Sequence, residues 1–219
     1  MDTPRPLPIL DSAQIRVLGA LMEKCKTTPD YYPMTLNGLA AACNQKTSRK
    51  PVVQYDESTI TTALNSLKIG GLISTATGGS IRNTKYKHNF AIVFPVVPAE
   101  VAIMCLLFLR GPQTPGEINT NSGRLYEFET LEEVQQTLEK LANDTPAYIK
   151  QLPRKAGQKE QRYIHLFSGD AEYVEEEYLT EPTSSLKGNN ALEERLTKVE
   201  EELAELKANF DKLMKELMG

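Results

Sequence analysis

The chain has 219 residues, with 25 Lys and Arg against 29 Asp and Glu and 40% hydrophobic side chains, which is the balance of an ordinary globular protein and excludes a collagen, a mucin or a charged disordered chain. The longest apolar run, Val101 to Leu109, is less than half a bilayer span. The opening MDTPRPLPIL lacks the charged-then-apolar order of a signal peptide, so a cytoplasmic protein with no membrane contact is expected. Three cysteines (Cys25, Cys43, Cys105) and two histidines supply neither a disulfide framework nor a zinc ligand set, and no metal or cofactor is expected.

Charge is unevenly placed along the chain. Residues 1–95 carry 11 basic and 6 acidic side chains, residues 96–169 carry 8 and 9, and residues 170–219 carry 6 and 14. A polyanion meeting only the first stretch would meet a positive field, although the net charge is −4.

In chain order, Asp11 or Ser12 caps a helix that places Ile15, Leu18, Leu21 and Met22 on one face. Thr35 caps a second with Leu36, Leu39, Ala40 and Cys43, and Asp56 a third with Ile60, Ala63, Leu64 and Leu67, stopped by Gly70-Gly71. A strand over 72–74, a turn at Gly78-Gly79 and a strand reaching Phe90 follow. The pattern then recurs as helices over 98–110, 115–122 and 130–143, with strands over 148–152 and 161–167 that turn at Gly157.

The recurrence is an internal repeat. A slide of 86 residues aligns Ala13 with Ala99, Leu21 with Leu107, Thr28 with Thr114 and Pro29 with Pro115; a slide of 77 aligns Lys85–Phe90 with Arg162–Phe167 in a shared basic-Tyr-x-His-x-Phe pattern. Each copy is long enough to bury a modest core of its own. Three helices followed by a hairpin is the order of a winged helix-turn-helix. The sequence predicts an α+β, mainly helical chain with winged-helix domains at 9–95 and 96–169, an acidic linker at 170–189 and a coiled-coil helix at 190–218. His88 and His165 alternate with Tyr and Phe and are expected to face the core. With no nucleophile or phosphate-binding motif present, no catalytic residue is assigned and a non-enzymatic protein is expected.

Several separated motifs also resemble the YceH-like family of bacterial proteins. They are the stretch Thr27–Thr47, Arg49 with Pro51-Val52, Leu109–Ile118, Leu125–Phe128 and Tyr163–Gly169, in that order along nearly the whole chain. The resemblance implies two tandem winged-helix domains and a C-terminal helical tail. It implies no catalytic residues, because the family is functionally uncharacterised.

On the third helix of the first copy, Ser58, Thr62 and Asn65 face away from the apolar stripe, and short hydroxyl and amide side chains of this kind approach phosphates and base edges. Lys46, Arg49 and Lys50 precede the helix and Arg82, Lys85 and Lys87 lie in the hairpin, a perimeter suited to duplex DNA and opposed only by Asp56 and Glu57. The third helix of the second copy opens with Glu129, Glu132 and Glu133, which would repel phosphate, so this copy is expected to support the first or to meet a protein partner; its hairpin is basic (Arg154, Lys155, Lys159, Arg162). The predicted function is therefore a DNA-binding, regulator-like protein. The rival is a protein-interaction scaffold of winged-helix modules, in the manner of chromosome-segregation scaffolds. In the tail, Leu192, Leu196, Val199, Leu203, Leu206, Phe210, Leu213 and Leu217 are spaced alternately by 4 and 3, the seam of a coiled coil, and a homodimer is expected.

Overall fold

The computed structural model describes residues 6–76, 84–154 and 160–169, about half of them helical, with two small antiparallel sheets. Arg82, the Gly78-Gly79 turn, the Gly157 tip, the acidic linker and the eight seam positions of the tail lie outside the described residues.

Helix α1 (Ser12–Thr27) begins at a reciprocal cap: the Asp11 carboxylate accepts the Gln14 N–H at 2.8 Å, and the Gln14 side chain accepts the Asp11 N–H at 3.1 Å. Strand β1 (Met34–Thr35) runs straight into α2 (Leu36–Cys43), because Thr35 is both the last strand residue and the cap, accepting the Gly38 N–H at 3.3 Å. Asp56 caps α3 (Glu57–Ile69), and the helix gives way to an extended chain at Gly71, whose φ of 75° is left-handed backbone that glycine adopts without a Cβ clash. Strands β2 (Ile73–Ala76) and β3 (Lys85–His88) form a hairpin, and β1 joins its free side to give the order β1-β3-β2.

After the single turn of α4 (Phe90–Val93), the series returns as α5 (Pro98–Arg110), α6 (Pro115–Ser122), α7 (Leu131–Asn143) and the hairpin β4 (Ile149–Gln151) with β5 (Tyr163–His165). The repeat extends to hydrogen bonding. Met34 pairs with Tyr86, and Gln113 makes an isolated bridge with Tyr163; each precedes the threonine that caps its copy's second helix. The second copy thus keeps the place of the third strand as a single bridge.

One expected element is corrected. The strand predicted to reach Phe90 stops at His88, and the chain turns into α4. The Asn89 N–H is drawn back onto the Leu72 carbonyl at 2.7 Å, and helical spacing brings Phe90 and Phe94 to one side. Their rings meet at 5.0 Å, and Phe90 also touches Phe108 and Phe167 at 5.8 and 5.6 Å.

Separate cores were expected, but the buried side chains of both copies form one cluster. Helices α1 and α5 join it: the Cys105 thiol donates to the Gly19 carbonyl at 3.5 Å, and these two residues are 86 apart, the same position in the two copies. A Cβ on Gly19 would stand 3.0 Å from Phe108 Cβ and Leu109 Cδ2, so any side chain there would push α5 or its side chains back by a few tenths of an ångström. Urea unfolding of Gly19→Val is expected to report a loss of about 1–3 kcal/mol from overpacking at this crossing. An unchanged midpoint would mean that the helices do not meet there.

Candidate nucleic-acid interface

Helix α3 is two-faced. Ile60, Ala63, Leu64 and Leu67 are buried, while Ser58, Thr62 and Asn65 are exposed on the opposite side. At about 100° of turn per residue, Ile69 continues the line formed by these three, and it is 90% exposed. Sequence reasoning missed Ile69 and also Lys68 in the last turn; the signal for Ile69 was its position four residues beyond Asn65.

The hydroxyls on this face are less available as donors than the sequence suggested. Ser58 Oγ donates to Asp56 Oδ1 at 3.0 Å, Thr62 Oγ1 to the Ser58 carbonyl at 2.9 Å and Thr61 Oγ1 to the Glu57 carbonyl at 2.8 Å. They present lone pairs, and the threonines methyl groups, to a partner. The Asn65 amide makes no side-chain hydrogen bond among the described residues, leaving both donor and acceptor open. At the helix start, hydrogen bonds from Thr59 and Ser58 hold the Asp56 carboxyl below the usual range, so a negative charge stays there.

Of the cations expected around α3, the structure brings some to the surface and removes others. Lys85 and Lys87 are exposed on β3, alternating with half-buried Tyr86 and His88, in the hairpin that follows α3 through Gly70-Gly71. Lys46 is also exposed. Neither it nor the two β3 lysines make an ion pair among the described residues.

Arg49 is a correction. Its side chain is 0% exposed and forks onto Glu23 at 3.0 and 2.6 Å, with further bonds from the guanidinium to the carbonyls of Ala42 and Ser48 and to Gln45 Oε1. No donor is left for a phosphate. Burial would raise the Glu23 carboxyl, but the hydrogen bond and charge of Arg49, helped by Lys24, outweigh it and hold the group below the usual carboxylate range.

Lys50 is exposed but turned to the second copy. Its N–H donates to the Leu109 carbonyl at 2.8 Å, beside a 3.0 Å bond from Arg110 to Ser48 Oγ. Its charge reaches Glu117: burial would raise that carboxyl, and Arg162, the Thr114 amide and Lys50 together bring it below its ordinary value. Arg162 is engaged in turn, forking onto Glu117 at 2.7 and 2.8 Å and donating to the Pro112 carbonyl at 2.9 Å. Arg154 is exposed, whereas Lys155 and Lys159 lie outside the described residues. At the start of α7, Glu133 accepts from Tyr126 Oη and from the Glu129 N–H, while Glu129 and Glu132 are exposed, so that end of the second copy is acidic.

The histidines sit in packing. His165 is 8% exposed, lies edge-on to Phe108 at 5.0 Å and has no partner for Nδ1 among the described residues, while His88 Nδ1 accepts the Phe90 N–H at 3.3 Å. Burial pushes both imidazoles down to about 4. Cys43 and Cys105 are buried and burial pushes the Cys43 thiol up to about 12, so a reactive thiolate is not built there. Among the described residues no group of His, Cys, Asp and Glu is arranged to hold a metal ion, and no helix is long and apolar enough to cross a membrane.

The model of a family described as "Protein of unknown function, DUF480" matches residues 10–158. A UPF0502 protein of Solibacter usitatus is 48% identical over 202 residues, covering 92% of this chain and 95% of the relative. UPF0502 proteins of Opitutus terrae (47% over 178 residues, 81% and 77%) and Shewanella loihica (43% over 210 residues, 94% and 98%) are similar along most of their length. The chain belongs to this DUF480 family of uncharacterised bacterial proteins, whose members carry the name UPF0502, in line with the resemblance its motifs carry.

Proposed function

We propose that this protein is a non-enzymatic, regulator-like DNA-binding protein built from two winged helix-turn-helix units at 9–95 and 96–169, of which the first grips duplex DNA. The observations that carry the proposal are the open face of α3 (Ser58, Thr62, Asn65) and the exposed lysines of the hairpin that follows it, Lys85 and Lys87, which make no ion pair among the described residues, with Lys46 in the preceding loop. The order α1-β1-α2-α3-β2-β3 with a β1-β3-β2 sheet supports the winged-helix reading, in which the third helix would enter the major groove and the hairpin would meet the backbone. The second unit serves as a support and a protein-facing surface, as its acidic α7 entrance suits. The non-enzymatic part draws support from the histidines, whose imidazoles pack against rings instead of meeting a carboxylate among the described residues.

Anisotropy of a labelled random duplex tests this directly. Affinity should fall steeply with salt, and combined Lys46→Ala, Lys85→Ala and Lys87→Ala should lower the log–log slope by roughly 2 to 3, one phosphate per lysine. No binding at low salt would sink the DNA proposal. It would favour the scaffold alternative, which the exposed Ile69 (90%) and Ile92 (83%) support as apolar contacts for a protein.

The C-terminal segment 190–218 is proposed as the coiled coil of a homodimer, on the strength of its eight-position seam. Two copies of the basic unit would then engage two half-sites at a raised effective concentration. Sedimentation of the full chain should give a dimer, and a version ending at Thr183 a monomer. Two monomers, or two dimers, would refute the role of the tail.

A further inference from the structure

Building on that proposal, we infer that the α3 face reads A·T base pairs through Asn65, so that the protein prefers duplexes with adenine and thymine at the centre of its site. Guanine presents two acceptors to the major groove, O6 and N7, and is normally read by an Arg or Lys fork. The exposed line Ser58, Thr62, Asn65 and Ile69 contains no cation, and the hydroxyl protons of Ser58 and Thr62 are already committed at 3.0 and 2.9 Å. Asn65 is therefore the one side chain on this line able to donate, and its amide, which sets a donor beside an acceptor, is matched by adenine and not by the two adjacent acceptors of guanine.

Adenine fits the same chemistry. Its N7 accepts and its N6 amino group donates, a pattern that an uncommitted Asn amide matches with two bonds. Around Asn65 the line offers aliphatic carbon, the Thr62 methyl and the Ile69 side chain, which is 90% exposed, and the thymine C5 methyl is the major-groove feature that apolar carbon meets. The oxygens of Ser58 and Thr62, reduced to acceptors, suit an amino group, adenine N6 or cytosine N4, so the choice between the pairs falls to Asn65 and the apolar carbon beside it. At a rise of 1.5 Å per residue, Ser58 to Asn65 spans about 10 Å, or roughly three base-pair steps. Lys85 and Lys87 on β3 and Lys46 in the loop stand off this line and contribute affinity without composition preference, while the exposed Lys68 flanks it one turn past Asn65, at the end of the helix.

The full chain should be titrated by anisotropy, at one salt concentration, with equal-length duplexes sharing their flanks and differing only in an A·T or a G·C core. The A·T duplex should bind at least about fivefold tighter. Replacing its adenines by 7-deaza-adenine, which removes the N7 acceptor, and replacing Asn65 by Ala should each abolish most of that ratio. The second change should add nothing once the first is made. Equal affinity for the two cores, or a preference that survives both changes as a minor-groove preference would, overturns the inference and leaves the DNA-binding proposal standing. Absence of binding to either duplex overturns both.

Discussion

Glu23→Ala should destabilise the protein by about 3–5 kcal/mol, because it strands the Arg49 guanidinium, whose side chain is 0% exposed, without a counter-charge. The carbonyls of Ala42 and Ser48 would still accept from it, but they carry no net charge to offset the burial. Urea unfolding of Glu23→Ala against Glu23→Leu with Arg49→Met separates a charge effect from lost packing. Removing both partners in favour of apolar groups should recover most of the loss. Since the Glu23 carboxyl is held below its usual value of 4.5, its contribution is complete above that value and is lost as pH falls through the lower, folded value. If Glu23→Ala unfolds at the wild-type midpoint, the ion pair does not hold the loop before α3, and Arg49 returns to the set of surface cations.

The second large effect runs through the histidines. The His165 imidazole is pushed down from 6.5 to about 4 by burial against Phe108, so the folded protein keeps it neutral while the unfolded chain takes a proton below 6.5. Stability contributed by keeping the ring neutral is therefore present above 6.5 and is lost progressively as pH falls from there toward about 4, by on the order of 3 kcal/mol for His165. His88, also pushed down to about 4, acts in the same direction. Urea midpoints between about pH 7 and pH 5, above the range where carboxylates titrate, should fall for the wild type and fall less for His165→Leu. Parallel profiles for the two proteins would mean that His165 is not buried as described.

Much of the fold is legible in the sequence because its signals are local. Asp11, Thr35 and Asp56 all cap the helices they were expected to cap, and 98–110 and 115–122 are helical over the ranges read from the repeat, while Thr130, expected inside its helix, is the cap before Leu131. Strand β1 was missed because two residues cannot display an alternation, and α4 because the apolar run of Phe90 to Val93 is as compatible with a strand as with one helical turn. Tertiary pairing decided the site residues. Glu23 lies 26 residues before Arg49, and Glu117 45 before Arg162, so nothing local distinguishes an arginine that will be buried in a fork from one that will face solvent. The exposure of Ser58, Thr62 and Asn65 was legible for the opposite reason, since the buried stripe of α3 fixes the other face.

Shift mapping by NMR of the full chain with a short duplex tests the central claim most directly, because it reports which half is touched. The backbone amides of Ser58 to Asn65 and of Lys85 to Lys87 should move on titration, with those of α7 left in place. Shifts confined to α7 and the β4–β5 hairpin, or none at any region at low salt, would contradict a DNA interface on the first half of this protein.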